Sequence, residues 1–282
     1  MNKAPVAIIT GSSKRIGKSI AIRLHDDNFN VCLHYCNSRE ASETLMNTLN
    51  SRRPDSAAIF KADFSGGMNS PSEVSLAKRC ARLIDFCYST FGRCDVLVNN
   101  ASAFYPTPLL GDLSSVVGKD IYETDRIEND ILDIFGSNAL APLCLIRCFA
   151  RKVQSIEDEL QSDSPTHRCV VNLLDSMIST PLEGYSLYTM GKYAMDGLTK
   201  AAALELSKLN IRVNGVAPGL CVMPPGMSKE KQEAERGKVP LGQREASAEE
   251  IAAAVSFMVS SESQYITGSV LNVDGGISIK RA

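Results

Sequence analysis

Short apolar runs alternate along the chain with longer segments whose apolar residues recur every three or four positions. The runs are rich in Val, Ile, Leu and Cys and too short for buried helices. They predict strands at Val6–Thr10, Val31–Tyr35, Ala57–Lys61, Val96–Asn99, Cys169–Leu174, Ile211–Ala217 and Ser269–Val273. The periodic segments predict helices over Ile16–Asp27, Arg39–Ser51, Glu73–Phe91, Ile131–Arg151, Tyr188–Ser207 and Ala248–Ser260. Strands apolar on both faces, each followed by a helix, belong to a parallel sheet covered on both sides. The expected fold class is α/β: a single-domain, Rossmann-type doubly wound fold with a seven-stranded parallel sheet, residues 1–282 forming one domain. Three polar insertions, Gly66–Ser72, Gly111–Asp130 and Ser155–His167, read as surface loops. Ligands of such folds bind beyond the carboxyl ends of the strands, which directs attention to the residues after each strand.

Composition narrows the partners. The net charge is -2 with no basic block, so neither a nucleic-acid surface nor a membrane patch is implied, and a small-molecule partner is expected. Nine cysteines are scattered without a C-x-x-C pair, several of them inside apolar segments, as reduced core thiols would be. Cys144 and Cys148 share a helical face, but His25, His34 and His167 have no ligand spacing to join them, and no metal is expected. Met1 leads directly into an apolar strand, and no apolar run approaches about 18 residues. A cytoplasmic protein is the expectation.

The first strand runs into Thr10-Gly11-Ser12-Ser13-Lys14-Arg15-Ile16-Gly17. Gly11 and Gly17 let the backbone approach a pyrophosphate at a helix N-terminus, although glycine spacing alone also describes an ordinary strand-to-helix turn. The second strand ends at His34-Tyr35-Cys36-Asn37-Ser38-Arg39, with no acid to hold a free ribose 2′-hydroxyl. Ser38 at a helix start, with Lys14 and Arg39 nearby, suits a 2′-phosphate, so the expected cofactor is NADPH. Asp63, after the third strand, either accepts from the adenine amino group or closes a turn; Asn99-Asn100-Ala101-Ser102, after the fourth, line the ribose and fix strand positions.

Tyr188 and Lys192, four apart on one helix face, carry the chemistry. The ammonium beside the phenol is expected to lower the Tyr188 pKa and make it a general acid. Asp175 lies thirteen residues before the tyrosine, where a serine would support a developing oxyanion. An ionised carboxylate cannot donate that hydrogen bond. Asp175 therefore argues for a substrate that presents N–H donors, such as a heterocycle reduced at C=N.

Thr10-Gly11…Gly17, Asn99-Asn100-Ala101, Asn138, Tyr188…Lys192 and Pro218-Gly219 together resemble the short-chain dehydrogenase/reductase family over essentially the whole chain. Within it Arg15, the run Asn99–Pro108, Asp175 and the ending Asp274-Gly275-Gly276…Arg281-Ala282 resemble the pteridine reductases. The resemblance implies NADPH-dependent reduction of biopterin and folate, oxidised or dihydro, to tetrahydro forms by a homotetramer. It implies Asp175, Tyr188 and Lys192 as the catalytic set. It places Gly11, Lys14, Arg15, Ile16, His34, Tyr35, Asn37, Ser38, Asp63, Asn99, Ala101, Ser102, Asn138, Tyr188, Lys192, Pro218 and Gly219 around the cofactor, Asn138 through a water near Lys192. The substrate would meet Arg15, Ser102, Phe104, Asp175, Tyr188, Leu220 and Met227, its ring lying between the nicotinamide and Phe104, under a lid at about 220–238. Two features depart from the pattern: Cys36 stands where His or Arg is usual, and the lid carries no tryptophan. A carbonyl reductase of another substrate, or a catalytically silent NADP-binding regulator, are the alternatives; Asp175 opposes the first and intact Tyr188, Lys192 and Asn138 the second.

Overall fold

In the computed structural model, which describes residues 4–65, 74–109, 124–160, 167–223 and 227–280, the seven apolar runs form one parallel sheet ordered β3-β2-β1-β4-β5-β6-β7. The strands are β1 (Val6–Ile9), β2 (Asn30–Tyr35), β3 (Ala57–Lys61), β4 (Val96–Asn99), β5 (Arg168–Leu173), β6 (Ile211–Pro218) and β7 (Val270–Val273). Alternation sends Val6, Ile8, Cys32, Leu97, Val170 and Val213 into one core layer and Ala7, Ile9, Val31, Leu33, Val98 and Val171 into the other. The first layer is closed by α3 (Leu76–Phe91), α5 (Ala141–Leu160) and α6 (Ser186–Leu206). The second is closed by α1 (Arg15–Asp26), α2 (Arg39–Arg52) and α8 (Ala248–Val259). Both faces are thus dry, which is why the strands read as continuous apolar runs.

Three expectations are corrected. The helix after β4 is longer than Ile131–Arg151: α4 (Thr124–Phe135) passes through a π-turn at Gly136–Leu140 into α5. Parts of the expected loops Gly111–Asp130 and Ser155–His167 are therefore helical, because Ile127, Ile131 and Ile134 before the turn, and Phe149, Val153 and Ile156 after it, keep the helical period. The lid segment contains α7 (Lys229–Gly237), all of whose residues stay off the core, capped by Ser228 accepting from the Lys231 N–H. With no apolar stripe, that helix is legible only from its cap and its strong helix formers. The expected loop Gly66–Ser72, the helix start at Glu73, Pro224-Pro225 and the terminal Arg281-Ala282 lie outside the described residues.

Candidate active site

The sheet reverses its winding between β1 and β4, and the residues at that junction are locked together. The Thr10 hydroxyl accepts from the N–H groups of Asn100 (2.8 Å) and Ala101 (2.9 Å), while Asn100 Nδ2 donates to the carbonyls of Thr10 and Gly11. Gly11 has φ +63, and a Cβ on Gly17 would lie 2.3 Å from the Gly11 carbonyl oxygen. Glycine is required at both places, the first for its left-handed backbone and the second for close approach. The Lys14 cap makes no side-chain hydrogen bond, and the first turn of α1 holds no acid. Among the described residues the N-cap thus leaves the leading N–H groups of α1 uncapped at the end of β1, the donor arrangement a pyrophosphate needs. Arg15, at φ 54, donates from Nη2 to the Val222 carbonyl at 2.7 Å, tying this turn to the segment after β6. Ile16 packs on the second core layer.

The His34 side chain, expected at the cofactor, is turned into the fold. Its ring is 2% exposed and stacks on Phe64 at 4.2 Å; Nδ1 accepts from the Gly11 N–H (3.1 Å), and Nε2 lies 3.0 Å from the Ala62 carbonyl. Only the neutral tautomer with a proton on Nε2 makes both bonds. Burial pulls its pKa from 6.5 to about 4, against the opposing pull of the Ala62 bond and Asp63. His34 instead supports the Gly11 turn. Tyr35 is buried beside it, whereas Asn37 is exposed. Ser38 caps α2 without a side-chain capping bond, so that hydroxyl is not spent on the helix. Arg39 is paired with Glu43 one turn along, at 2.7 Å. Burial raises the Cys36 thiol pKa. Asp63 has one oxygen committed to a turn, Oδ1 accepting from the Ser65 N–H at 2.8 Å.

At the end of β5 the catalytic candidates converge. Asp175 Oδ1 accepts from the Met177 N–H (2.7 Å), capping a short 3-10 turn at Ser176–Ser179, and Oδ2 accepts from the Tyr188 hydroxyl (2.8 Å). Lys192, 3% exposed, donates to the Leu173 carbonyl at 2.7 Å and sits 5.6 Å from the centre of the Tyr188 ring. The expected lowering of the Tyr188 pKa is overturned: burial first, then the Asp175 charge and hydrogen bond, push it far above the ordinary phenol range. The Lys192 ammonium lies over the ring and donates to a backbone oxygen, so Asp175 controls the phenolic proton. Burial lowers the Lys192 pKa to about 8, opposed by the Asp175 charge.

The loop after β4 supplies the remaining wall. Phe104, 43% exposed, stacks on Tyr185 at 4.7 Å and meets the edge of Tyr188 at 4.8 Å. Sequence reasoning missed Tyr185; an aromatic three positions before Tyr188, at a helix start, was the available signal. Asn138 sits fully buried in the π-turn, an irregularity common at functional sites. Its Oδ1 accepts from the Ser102 hydroxyl (2.8 Å) and its Nδ2 donates to the carbonyls of Ala103 and Ile134 (both 3.0 Å). The Asn138 side chain thus holds the loop of Ser102 and Phe104. Below, Asn99 Nδ2 donates to Asn172, whose Nδ2 donates to Thr199.

β6 ends at buried Pro218. Gly219 donates to the Val273 carbonyl (3.1 Å), and a Cβ there would lie 2.6 Å from Asp274 Cβ. Leu220 lines a cavity of about 370 Å³ with Val239, Leu241 and Asp274. The Met227 carbonyl accepts from Gln232 of α7.

Comparison with known proteins agrees with this arrangement. The family model described as Enoyl-(Acyl carrier protein) reductase matches residues 11–278. Pteridine reductase 1 of Leishmania tarentolae is 49% identical over 99% of this chain and 98% of its own length. A 3-oxoacyl-(acyl-carrier-protein) reductase of Staphylococcus aureus is 29% identical over 98% of the chain and 99% of its own length. A short-chain type dehydrogenase/reductase of Picea abies is 29% identical over 96% of the chain and 91% of its own length.

Proposed function

The chain belongs to the pteridine reductases of the short-chain dehydrogenase/reductase family, and from that premise we propose that it reduces biopterin and dihydrobiopterin, and folate and dihydrofolate, to their tetrahydro forms with NADPH. The observation that carries this reading is the Asp175–Tyr188 pair at 2.8 Å. A carboxylate occupies the place where a carbonyl reductase needs a donor, and each of its oxygens keeps a lone pair after bonding Met177 and Tyr188. Those lone pairs suit the N–H and amino groups of a pterin.

The nicotinamide cofactor supplies the hydride. Tyr188 gives its proton to the adjacent ring nitrogen, while the Lys192 ammonium, held by the Leu173 carbonyl beside the Tyr188 ring, brings a positive charge into the buried site. Asp175 accepts from the substrate and returns a solvent proton to Tyr188; the second reduction draws its proton from water. Phe104, half exposed, offers a stacking face, and Arg15, tied through Nη2 to the Val222 carbonyl, has further donors in its planar fork to offer a ligand or phosphate. The uncommitted hydroxyl of Ser38 and the absence of an acid after β2 support NADPH over NADH. Exposed Leu143, Met190, Tyr193 and Leu204 along α5 and α6 support a homotetramer. The expected location is the cytoplasm.

The test measures NADPH oxidation by purified protein with dihydrobiopterin, folate and a ketone panel. Pterins should be the preferred substrates, and Tyr188→Phe should lose at least about 100-fold in kcat. Asp175→Ser should lower pterin turnover by about ten- to hundredfold, the value of a lost charged hydrogen bond, while any ketone reduction persists. Pterin reduction near the parent rate in Asp175→Ser would refute the substrate assignment.

A further inference from the structure

We propose that Thr107 is a positioning residue that fastens the loop bearing Ser102 and Phe104 to the first turn of the helix bearing Tyr188. Tyr185 stands at the N-cap of α6, where its side chain makes no capping bond and its ring is stacked on Phe104. Thr107, distant in sequence, supplies the cap: its Oγ1 accepts from the Leu187 N–H at 3.3 Å. The Thr107 N–H donates to the Gly184 carbonyl at 2.6 Å, and the Ser186 hydroxyl donates to the Thr107 carbonyl at 2.8 Å. Thr107 and Tyr185 also pair as an isolated parallel bridge. Every polar group of Thr107 is therefore spent on residues 184–187.

The local sequence suits this residue to the task. Pro106 and Pro108 flank it and have no N–H, so Thr107 carries the one backbone donor of that triplet. A residue before proline is steered to extended backbone, the conformation the bridge requires. Helix ends with unpaired N–H groups fray within the first turn. Tyr188 lies in that turn, directly after Leu187, and Phe104 lies three residues before Thr107. Thr107, through its backbone and its hydroxyl together, thus helps to set the distance between the stacking ring and the proton donor. None of these bonds reaches the turn between β1 and α1, so the main effect falls on the side of Phe104 and Tyr188.

The inference rests on the reading of Phe104 and Tyr188 above, and its test has one arm that does not. In Thr107→Val, which keeps shape and loses the acceptor, the pterin kcat should fall and its KM rise, lowering kcat/KM by about three- to thirtyfold, the range for a lost helix cap. NADPH affinity should stay within about twofold, and Thr107→Ser should restore the parent values. In a Phe104→Ala background the same Thr107→Val change should have a smaller effect, because the two residues act through one loop. The independent arm is amide hydrogen exchange of the whole protein without substrate. Thr107→Val should speed exchange in residues 101–109 and 184–190 together, and leave residues 10–20 unchanged. Exchange altered in neither segment, or in only one, overturns the proposal whatever the substrate proves to be. Equal loss of NADPH binding, or full additivity with Phe104→Ala, overturns it as well.

Discussion

At the scale of single residues, the site is held together by groups that cost stability. Lys192 is buried with its ammonium bonded to a carbonyl rather than a carboxylate, and its pKa falls from 10.5 to about 8. The unfolded chain binds that proton more tightly, so the stability present above pH 10.5 is lost as pH drops through about 8 and stays lost below it. The cost at neutral pH is about 3 kcal/mol. Lys192→Met should therefore abolish turnover and yet raise the urea midpoint at pH 7, less the loss of the bond to Leu173. A midpoint at or below that of the parent would show that the buried charge is compensated elsewhere. In the parent, kcat/KM should decline as pH rises past about 8, where the free enzyme loses that charge.

At the scale of elements, helix starts do most of the positioning. The N-terminus of α1 is seated on Gly11 and Gly17, α6 is capped from another loop by Thr107, and the π-turn between α4 and α5 brings Asn138 to Ser102. α2 begins at Ser38, whose hydroxyl makes no capping bond of its own. If that helix start receives the 2′-phosphate, Ser38→Asp should narrow or invert the preference for NADPH over NADH, at a cost of about 1–3 kcal/mol in NADPH binding. Equal kcat/KM for the two cofactors in the parent protein would remove the assignment. Arg39, held by Glu43, must leave that pair to help, so Arg39→Ala should matter less than the change at Ser38.

At the scale of the whole molecule, one imidazole joins three strands. His34 on β2 accepts from Gly11 after β1 and bonds Ala62 after β3, and it must stay neutral to do both. Its folded pKa, about 4 against 6.5, means that the unfolded chain takes up a proton first as pH falls. Stability should thus be lost between about pH 6.5 and pH 4, about 2 kcal/mol of it between pH 7 and pH 5. Urea unfolding at those two pH values checks this, with His34→Gln as the control: that variant should be less stable but flatter with pH. An unchanged slope in the variant would assign the pH dependence to other groups.

Much of this was legible in the sequence because it is local. Apolar runs bounded by polar turns gave all seven strands to within two residues at each end, since parallel strands buried on both faces have no other pattern. Gly11, Gly17, Tyr188 and Lys192 announced themselves by spacing, and Asp175 by standing where a hydroxyl was expected. What only the tertiary structure decided depends on groups distant in the chain. The Tyr188 proton is governed by Asp175 and burial rather than by Lys192, which finds the Leu173 carbonyl instead. His34 turns inward because two turns offer it partners, and Asn138 clamps a loop because the π-turn aims it there. A side chain's type fixes which bonds it can make, but its choice among them follows from what folding places within about 3 Å of it.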